Sequence, residues 1–338
     1  MSELLARWLA DLRIRHTFLV IGRLGGDAAV RIEPEGLAAF HYCQHGPCTV
    51  APAGQPQVHM GDGDFLFMRD GLARTVWGGD AARRARPVAL RSLVSSVPRD
   101  GAVAFSLGSA DRVLLGGAFC IDSPEARMFV AALPPVFCVR RGAAYTSRLA
   151  AIFDELVEEA TAATPGAGPV VARLAEVAVL IGVRSFVITD GGESSLLEAA
   201  RDPRLGRVLA AIHREPARRW TVARLGRVAG MSRSGFAAAF AERVGEAPAS
   251  YLARVRMARA ERMLLERERP LPQVAEAVGY ASAAAFSVAF KRLRGVSPSE
   301  IGVTGSAARR TRRRGRAWRA RGIAAVAPRE RARRRPSR

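Results

Sequence analysis

The C-terminal third of the chain matches itself at a constant offset of fifty residues. Val228 pairs with Val278, Ser232 with Ser282, Phe236 with Phe286 and Phe240 with Phe290, while Gly245, Pro248 and Tyr251 pair with Gly295, Pro298 and Ile301. The matched positions are Gly, Pro, Ser or bulky apolar residues, the types that set turns, caps and cores. The chain therefore builds one supersecondary unit twice.

Each copy reads as a helix, a tight turn and a second helix, over residues 222–229 and 232–244 in the first and 272–278 and 282–294 in the second. The turns are Gly230-Met231 and Gly279-Tyr280-Ala281. Ser232 and Ser282 stand where a hydroxyl accepts the orphan amides that open a helix, and Phe236 with Phe240, or Phe286 with Phe290, form i,i+4 pairs facing inward. Ser297-Pro298-Ser299-Glu300 places serine at N-cap, proline at N1 and glutamate at N3, so another helix starts there. Residues 248–266 lack internal Pro or Gly, and at a rise of 1.5 Å per residue they predict a rod of about 28 Å. Successive major grooves on one face of a duplex lie roughly 34 Å apart, so such a connector suits two helices reading adjacent grooves.

Charge is distributed to match. Residues 1–201 hold 20 Arg against 21 acids, a net −1; residues 202–304 hold 18 basic residues against 9 acids, a net +9; residues 305–338 hold 14 Arg against Glu330, a net +13. A basic domain beside a neutral one implies a polyanion, because arginines that neutralise phosphates release condensed counterions. The tail has almost no apolar periodicity and is expected to be disordered.

The apolar run near residues 177–183 is flanked by Glu176 and Arg184 and falls well short of a membrane span. Residues 2–12 place Leu4, Leu5, Trp8, Leu9 and Leu12 at helical spacing among charges, an amphipathic helix rather than a signal peptide. A cytoplasmic protein is expected. Cys43, Cys48, Cys120 and Cys138 form no paired CxxC and no disulfide framework.

Between residues 18 and 137, short apolar runs such as 38–43, 64–68 and 113–120 alternate with Gly, Pro and Asp, which predicts strands and tight turns closing into a small barrel or sandwich. From Thr146 the period becomes helical, with Leu149, Ile152, Phe153, Leu156 and Val157 on one face, a break at Pro165-Gly166 and a second helix over about residues 170–187. These two helices suit a core, a linker or a dimer interface.

The motifs Trp220-Thr221-Val222-Ala223-Arg224-Leu225, Gly230-Met231-Ser232-Arg233-Ser234-Gly235-Phe236, Val278-Gly279-Tyr280, Ala285-Phe286-Ser287, Phe290-Lys291-Arg292 and Gly295-Val296-Ser297-Pro298 resemble the AraC/XylS transcriptional regulators over residues 202–302. Phe40-His41, residues 61–64, Leu133-Pro134-Pro135 and the helical pair resemble the subgroup with an N-terminal cupin-like domain. The resemblance implies an α+β bacterial regulator: a cupin-like antiparallel β barrel for sensing or dimerising over 1–145, a helical linker/dimerisation segment over 146–201, an all-α domain with two helix-turn-helix units over 202–304, and the tail over 305–338. It further implies promoter DNA and RNA polymerase as partners, a homodimer, nucleoid association when DNA is bound, activation or repression of transcription, and a small-molecule effector with no cofactor.

On the recognition surfaces the polar candidates for base contact are Arg233, Ser234, Ser287 and Lys291. Ala237, Ala238, Ala283, Ala284 and Val288 occupy places where the family often carries long polar side chains, and the alanines can meet only thymine methyls. Phosphate contact falls to Arg218, Arg219, Arg224, Arg292 and Arg294 with Ser232 and Ser282, and DNA shape supplies part of the selectivity. Arg256 and Arg259, by their place on the helical wheel, suit a structural ion pair.

Cupin enzymes bind metal through paired histidines, and here Arg74 stands where the second is common. His41, Cys43 and His45 share one strand face near Cys48 and form a soft donor set for zinc, copper or iron, the metal- or redox-sensing alternative. No GxSxG elbow, HExxH helix or phosphate-cradling glycine loop appears, so no enzyme is expected. A non-specific nucleic-acid binder is the other alternative, resting on the cationic tail.

Overall fold

The computed structural model describes residues 2–301 except 13, 35, 95–100, 163, 193 and 268, so the Arg-rich tail lies outside the described residues. The chain divides into two compact units, Met1–Arg262 and Met263–Arg338.

In the first unit, α1 (Ser2–Asp11) leads into β1 (Ile14–Leu24), β2 (Ala29–Ile32), β3 (Ala38–His45), β4 (Cys48–Pro52), β5 (Val58–Met60), β6 (Phe65–Met68), β7 (Arg74–Trp77), β8 (Val88–Ala89), α2 (Leu90–Leu93), β9 (Gly101–Leu107), β10 (Arg112–Ile121), α3 (Pro124–Val130) and β11 (Val136–Val139). Then come α4 (Thr146–Ala162), α5 (Ala167–Thr189), α6 (Ser195–Arg201), α7 (Leu205–Arg214), α8 (Val222–Ala229), α9 (Arg233–Val244) and most of α10 (Pro248–Glu266). The second unit holds the end of α10, α11 (Leu271–Ala277), α12 (Ala283–Arg294) and helical backbone over 298–301.

The strands form two sheets, ordered β11-β6-β3-β10-β1-β9 and β5-β4-β7-β2-β8. This corrects the expected antiparallel barrel on two counts. The sheets do not close on each other, and β1 pairs in parallel with β9 while β2 pairs in parallel with β8. Alternating apolar residues tell which face of a strand is buried, whereas partner and direction depend on contacts far apart in sequence. The parallel partners are far apart in the chain, β1 (Ile14–Leu24) from β9 (Gly101–Leu107) and β2 (Ala29–Ile32) from β8 (Val88–Ala89), as parallel pairing requires.

The larger sheet is covered on both faces, which explains why residues 38–43 are all buried. Phe40, Tyr42, Phe65, Phe67 and Phe119 face the helices, packing with Leu149, Phe153 and Leu156 of α4 and Val179, Val183 and Phe186 of α5. The alternate residues Cys43, Leu66 and Leu114 face the smaller sheet, with Val30, Val50, Met60 and Val76. Phe153 is central to the helical side: its ring stacks on Tyr42 at 4.0 Å and tilts against Phe40 at 5.9 Å. Such aromatic pairs add to their area burial.

A second hub joins α1 to the helices that follow. Trp8 stacks on Phe129 of α3 at 5.0 Å and meets His213 of α7 edge-on at 5.9 Å. His213 Nε2 shares a hydrogen bond of 2.8 Å with the Tyr251 hydroxyl of α10, and Arg7 donates to the His213 carbonyl at 3.2 Å. Ion pairs ring this hub, Arg214 with Glu3 at 3.1 Å, Arg127 with Glu261 at 2.6 Å and Arg262 with Glu125 at 2.8 Å. Burial, helped by Arg7 and Arg254, holds the His213 imidazole neutral by pushing its pKa down to about 3. Arg256 and Arg259 both lie in this region. Arg256 donates to the carbonyls of Pro216 at 2.7 Å and Arg218 at 2.9 Å, and burial lowers the Arg259 pKa against Asp11 and Glu125.

In the second unit Val274, Ala275, Val278, Phe286 and Phe290 are buried, with Tyr280 edge-on to Phe286 at 5.7 Å. Half of the expected capping box forms: Glu300 accepts from the Ser297 amide at 3.0 Å, while the Ser297 hydroxyl shares a hydrogen bond of 2.9 Å with that of Ser299. No described helix is long and apolar enough to cross a membrane.

Two outcomes follow from this packing. Phe153→Ala lowers unfolding stability by about 3–5 kcal/mol, the usual loss for an aromatic core truncation, read as a shift of the urea midpoint. His213 is neutral when folded and basic when unfolded, so its contribution is complete above pH ~6.5 and is lost as pH falls toward ~3. Denaturant midpoints measured at pH 7.5 and 5 in the wild type and in His213→Gln should show a loss on the order of 2 kcal/mol that the variant reduces.

Candidate nucleic-acid interface

Helix α8 begins at Thr221, whose hydroxyl accepts from the Arg224 amide at 3.2 Å, and ends at Gly230, which takes a left-handed conformation at φ 67° that a side chain would resist. The chain turns through Met231 and restarts at Ser232, whose hydroxyl accepts from the Gly235 amide at 3.2 Å to open α9. The second copy repeats this construction. Gly279 turns the chain at φ 83°, and the Ser282 hydroxyl accepts from the Ala285 amide at 3.2 Å to open α12. Each helix then buries a phenylalanine pair, Phe236 with Phe240 at a centroid distance of 5.5 Å and Phe286 with Phe290 at 5.4 Å. With one face pinned inward, the opposite face is left to solvent.

The candidate base-contact residues fall on those outer faces. Arg233, Ser234 and Ala238 of α9 are exposed and Ala237 is half-buried; Ala284 and Lys291 of α12 are exposed, Ala283 and Ser287 half-buried. Val288 is 72% exposed. One candidate is compromised by its own helix: the Ser287 hydroxyl donates to the Ala283 carbonyl at 2.7 Å, which leaves only its lone pairs for a ligand. Lys291 is the only lysine in the chain.

The candidate phosphate contacts differ in how firmly they are held. Arg218 pairs with Glu215 at 2.9 Å and lies over the Trp220 ring at 4.6 Å, while Trp220 donates its indole N–H to the Glu215 carbonyl at 2.9 Å. Arg224 donates to the Arg219 carbonyl at 2.9 Å, so these cations are oriented along the edge where α8 begins. Arg219 and Arg292 are exposed, Arg294 is half-buried, and the Ser232 and Ser282 hydroxyls serve as helix caps. Sequence reasoning passed over Arg227, exposed in the last turn of α8. Its position just before the turn to α9 was the available signal.

The donor set proposed for a metal does not assemble. His41 lies buried between the sheets with its Nε2 accepting from Arg74 Nε at 2.8 Å. The Cys43 thiol donates to the Gly46 carbonyl at 2.9 Å, and His45 is exposed beside Asp62 at 3.8 Å. Among the described residues no three His, Cys, Asp or Glu side chains are grouped to hold a metal. A hydrogen bond with Cys48 and burial raise the Cys43 thiol pKa, and burial raises that of Cys138 to about 11, which suppresses thiolate reactivity.

Comparison with known proteins agrees with this layout. Residues 3–187 match a family profile described as a cupin, and residues 225–302 match one described as a helix-turn-helix domain. A Streptomyces antibioticus protein described as an AraC-like transcription regulator is 31% identical over 292 residues, covering 82% of this chain and 90% of its own. The Escherichia coli activator RclR, described as specific for RCS, is 32% identical over 145 residues, 43% of this chain and 51% of its own. Among solved structures, the DNA-binding domain of AdpA in complex with a target DNA is 30% identical and covers 32% of this chain and 96% of its own, with a TM-score of 0.31. The chain belongs to the AraC-like transcription regulators, with an N-terminal cupin domain and a C-terminal helix-turn-helix domain that binds DNA.

Proposed function

We propose that this chain reads promoter DNA through two helix-turn-helix units, α8 with α9 and α11 with α12, and recruits or blocks RNA polymerase there. The observation that carries the reading is the repeated construction of α9 and α12, each capped by serine, pinned by a phenylalanine pair and left with a solvent-facing side of small and basic residues. The small residues favour apolar contact with thymine methyls, and the cations at the start of α8 supply phosphate anchoring. Residues 202–304 form the DNA-binding part, residues 1–145 sense a small effector, and the protein works in the bacterial cytoplasm where the chromosome lies.

Residues 146–201 support dimerisation on a specific ground. Along α5, Val170, Leu174, Val177, Ile181, Arg184 and Ile188 recur at alternating spacings of four and three. Val170, Val177 and Ile188 are exposed by 45%, 42% and 38%, and Arg184 lies over the Tyr145 ring at 4.0 Å. A stripe of that spacing is the seam of a two-helix contact, and the occupant we assign is α5 of a second copy.

Two measurements test this. Replacing Arg233 and Ser287 by alanine should lower the ratio of operator to random-duplex affinity by about ten- to a hundredfold, as one or two base contacts are worth, and an unchanged ratio removes both from base reading. Val177→Glu should convert a dimer to a monomer in sedimentation equilibrium while leaving the circular dichroism spectrum intact, and a dimer that persists assigns the contact elsewhere.

A further inference from the structure

The outer face of α12 is set by its buried one. Phe286 and Phe290 are fully buried, and at about 100° per residue the position between them, Val288, falls roughly 180° from the midpoint of the pair. Its exposure of 72% agrees with that placement. Ala284 lies one turn before it and Lys291 and Arg292 one turn after, all exposed, so the face runs from small to branched apolar to basic.

The first copy is built differently at the same positions. At the offset of fifty, Ala283 matches Arg233, Ala284 matches Ser234, Val288 matches Ala238 and Arg292 matches Glu242. Helix α9 therefore carries its polar groups at the N-terminal end and alanine at the centre of its outer face, whereas α12 carries alanines at the N-terminal end, valine at the centre and cations in the last turns. Two helices with the same caps and the same buried rings present different chemistry to a ligand. Val288 buries little within the fold, and alanine is the better helix former, so its methyls are left for a partner. A β-branched side chain in a helix has one strongly preferred χ1, which holds those methyls in a fixed direction at little entropic cost.

We infer that Val288 is a specificity-determining residue that selects thymine through its 5-methyl group, with Arg292 one turn on against the backbone. The inference rests on the reading of α11 with α12 as a DNA-reading unit and names the base that this unit prefers. Thymine alone offers an apolar group on the major-groove edge. Cytosine presents an N4 amino donor at the corresponding place, which a valine cannot satisfy and would keep from water.

The test uses the full-length protein. Duplexes selected by binding from a random pool should share a motif that contains thymine, and each thymine is then replaced in turn by deoxyuridine, which removes only the methyl. One replacement should weaken binding about fourfold by fluorescence anisotropy, the worth of one carbon taken out of water. At that position 5-methylcytosine should bind about fourfold more tightly than cytosine, by the same contact. Val288→Ala changes an exposed side chain and leaves the core intact, and in it the deoxyuridine penalty should fall to about twofold or less. A motif in which no deoxyuridine weakens binding leaves operator reading standing and overturns the thymine assignment. A penalty undiminished in Val288→Ala overturns it too, because another side chain then meets the methyl. If no motif is enriched, operator reading and the role of Val288 fall together.

Discussion

The outward faces of α9 and α12 each depend on a pair of aromatic rings four residues apart. Phe236 and Phe240 in α9, and Phe286 and Phe290 in α12, are fully buried and fix the rotation of each helix about its own axis. Turning either helix by one residue would bring a ring to the surface at a cost of about 1.5–3 kcal/mol. The identity of the outward residues is therefore decided by what lies inward. Serine caps set where each helix begins, the phenylalanines set how it is rotated, and base contact is left to whatever occupies the remaining positions.

The cupin domain solves a different problem, because its larger sheet must satisfy two cores. Residues along β3 divide between them: Phe40 and Tyr42 contribute to the helical side, Cys43 to the space between the sheets. His41 belongs to the second side, where an ionisable group is costly unless hydrogen-bonded. Arg74 supplies that bond, and the two side chains form a polar island in an apolar wall. At the other end of the same unit, Trp8 and His213 link the first helix of the chain to helices that support α9. The cupin domain and α9 share one continuous core, which includes Trp8, Phe129, Phe236 and Tyr251.

Legibility in the sequence followed the range of the interactions. The helices of the repeat, their caps and their phenylalanine pairs depend on residues within four positions of one another, and α8 spans the residues that the periodicity predicts. The runs at 38–43, 64–68 and 113–120 are strands because alternation is also local. Sheet order was hidden, since nothing in β9 announces a parallel partner in β1. The roles of His41 and Arg74 were half visible. Arg74 was noticed as the loss of a metal ligand, yet its bond to His41 spans thirty-three residues and only the fold brings the two together. For Ser287 the hidden detail was local: the outward position was legible, but not that its hydroxyl donates to the carbonyl one turn back.

The composition of the outer faces has a chemical corollary. Arginine supplies every basic side chain except Lys291, which projects from α12 among alanines and a valine. Chemistry aimed at side-chain amines, whether a laboratory acylating reagent or an enzymatic acyl transfer in the cell, therefore has a single address on this protein. That address is on the exposed face of α12, the face proposed above to meet DNA. Neutralising one ammonium there would subtract a charge from the polyanion contact while leaving the other cations untouched.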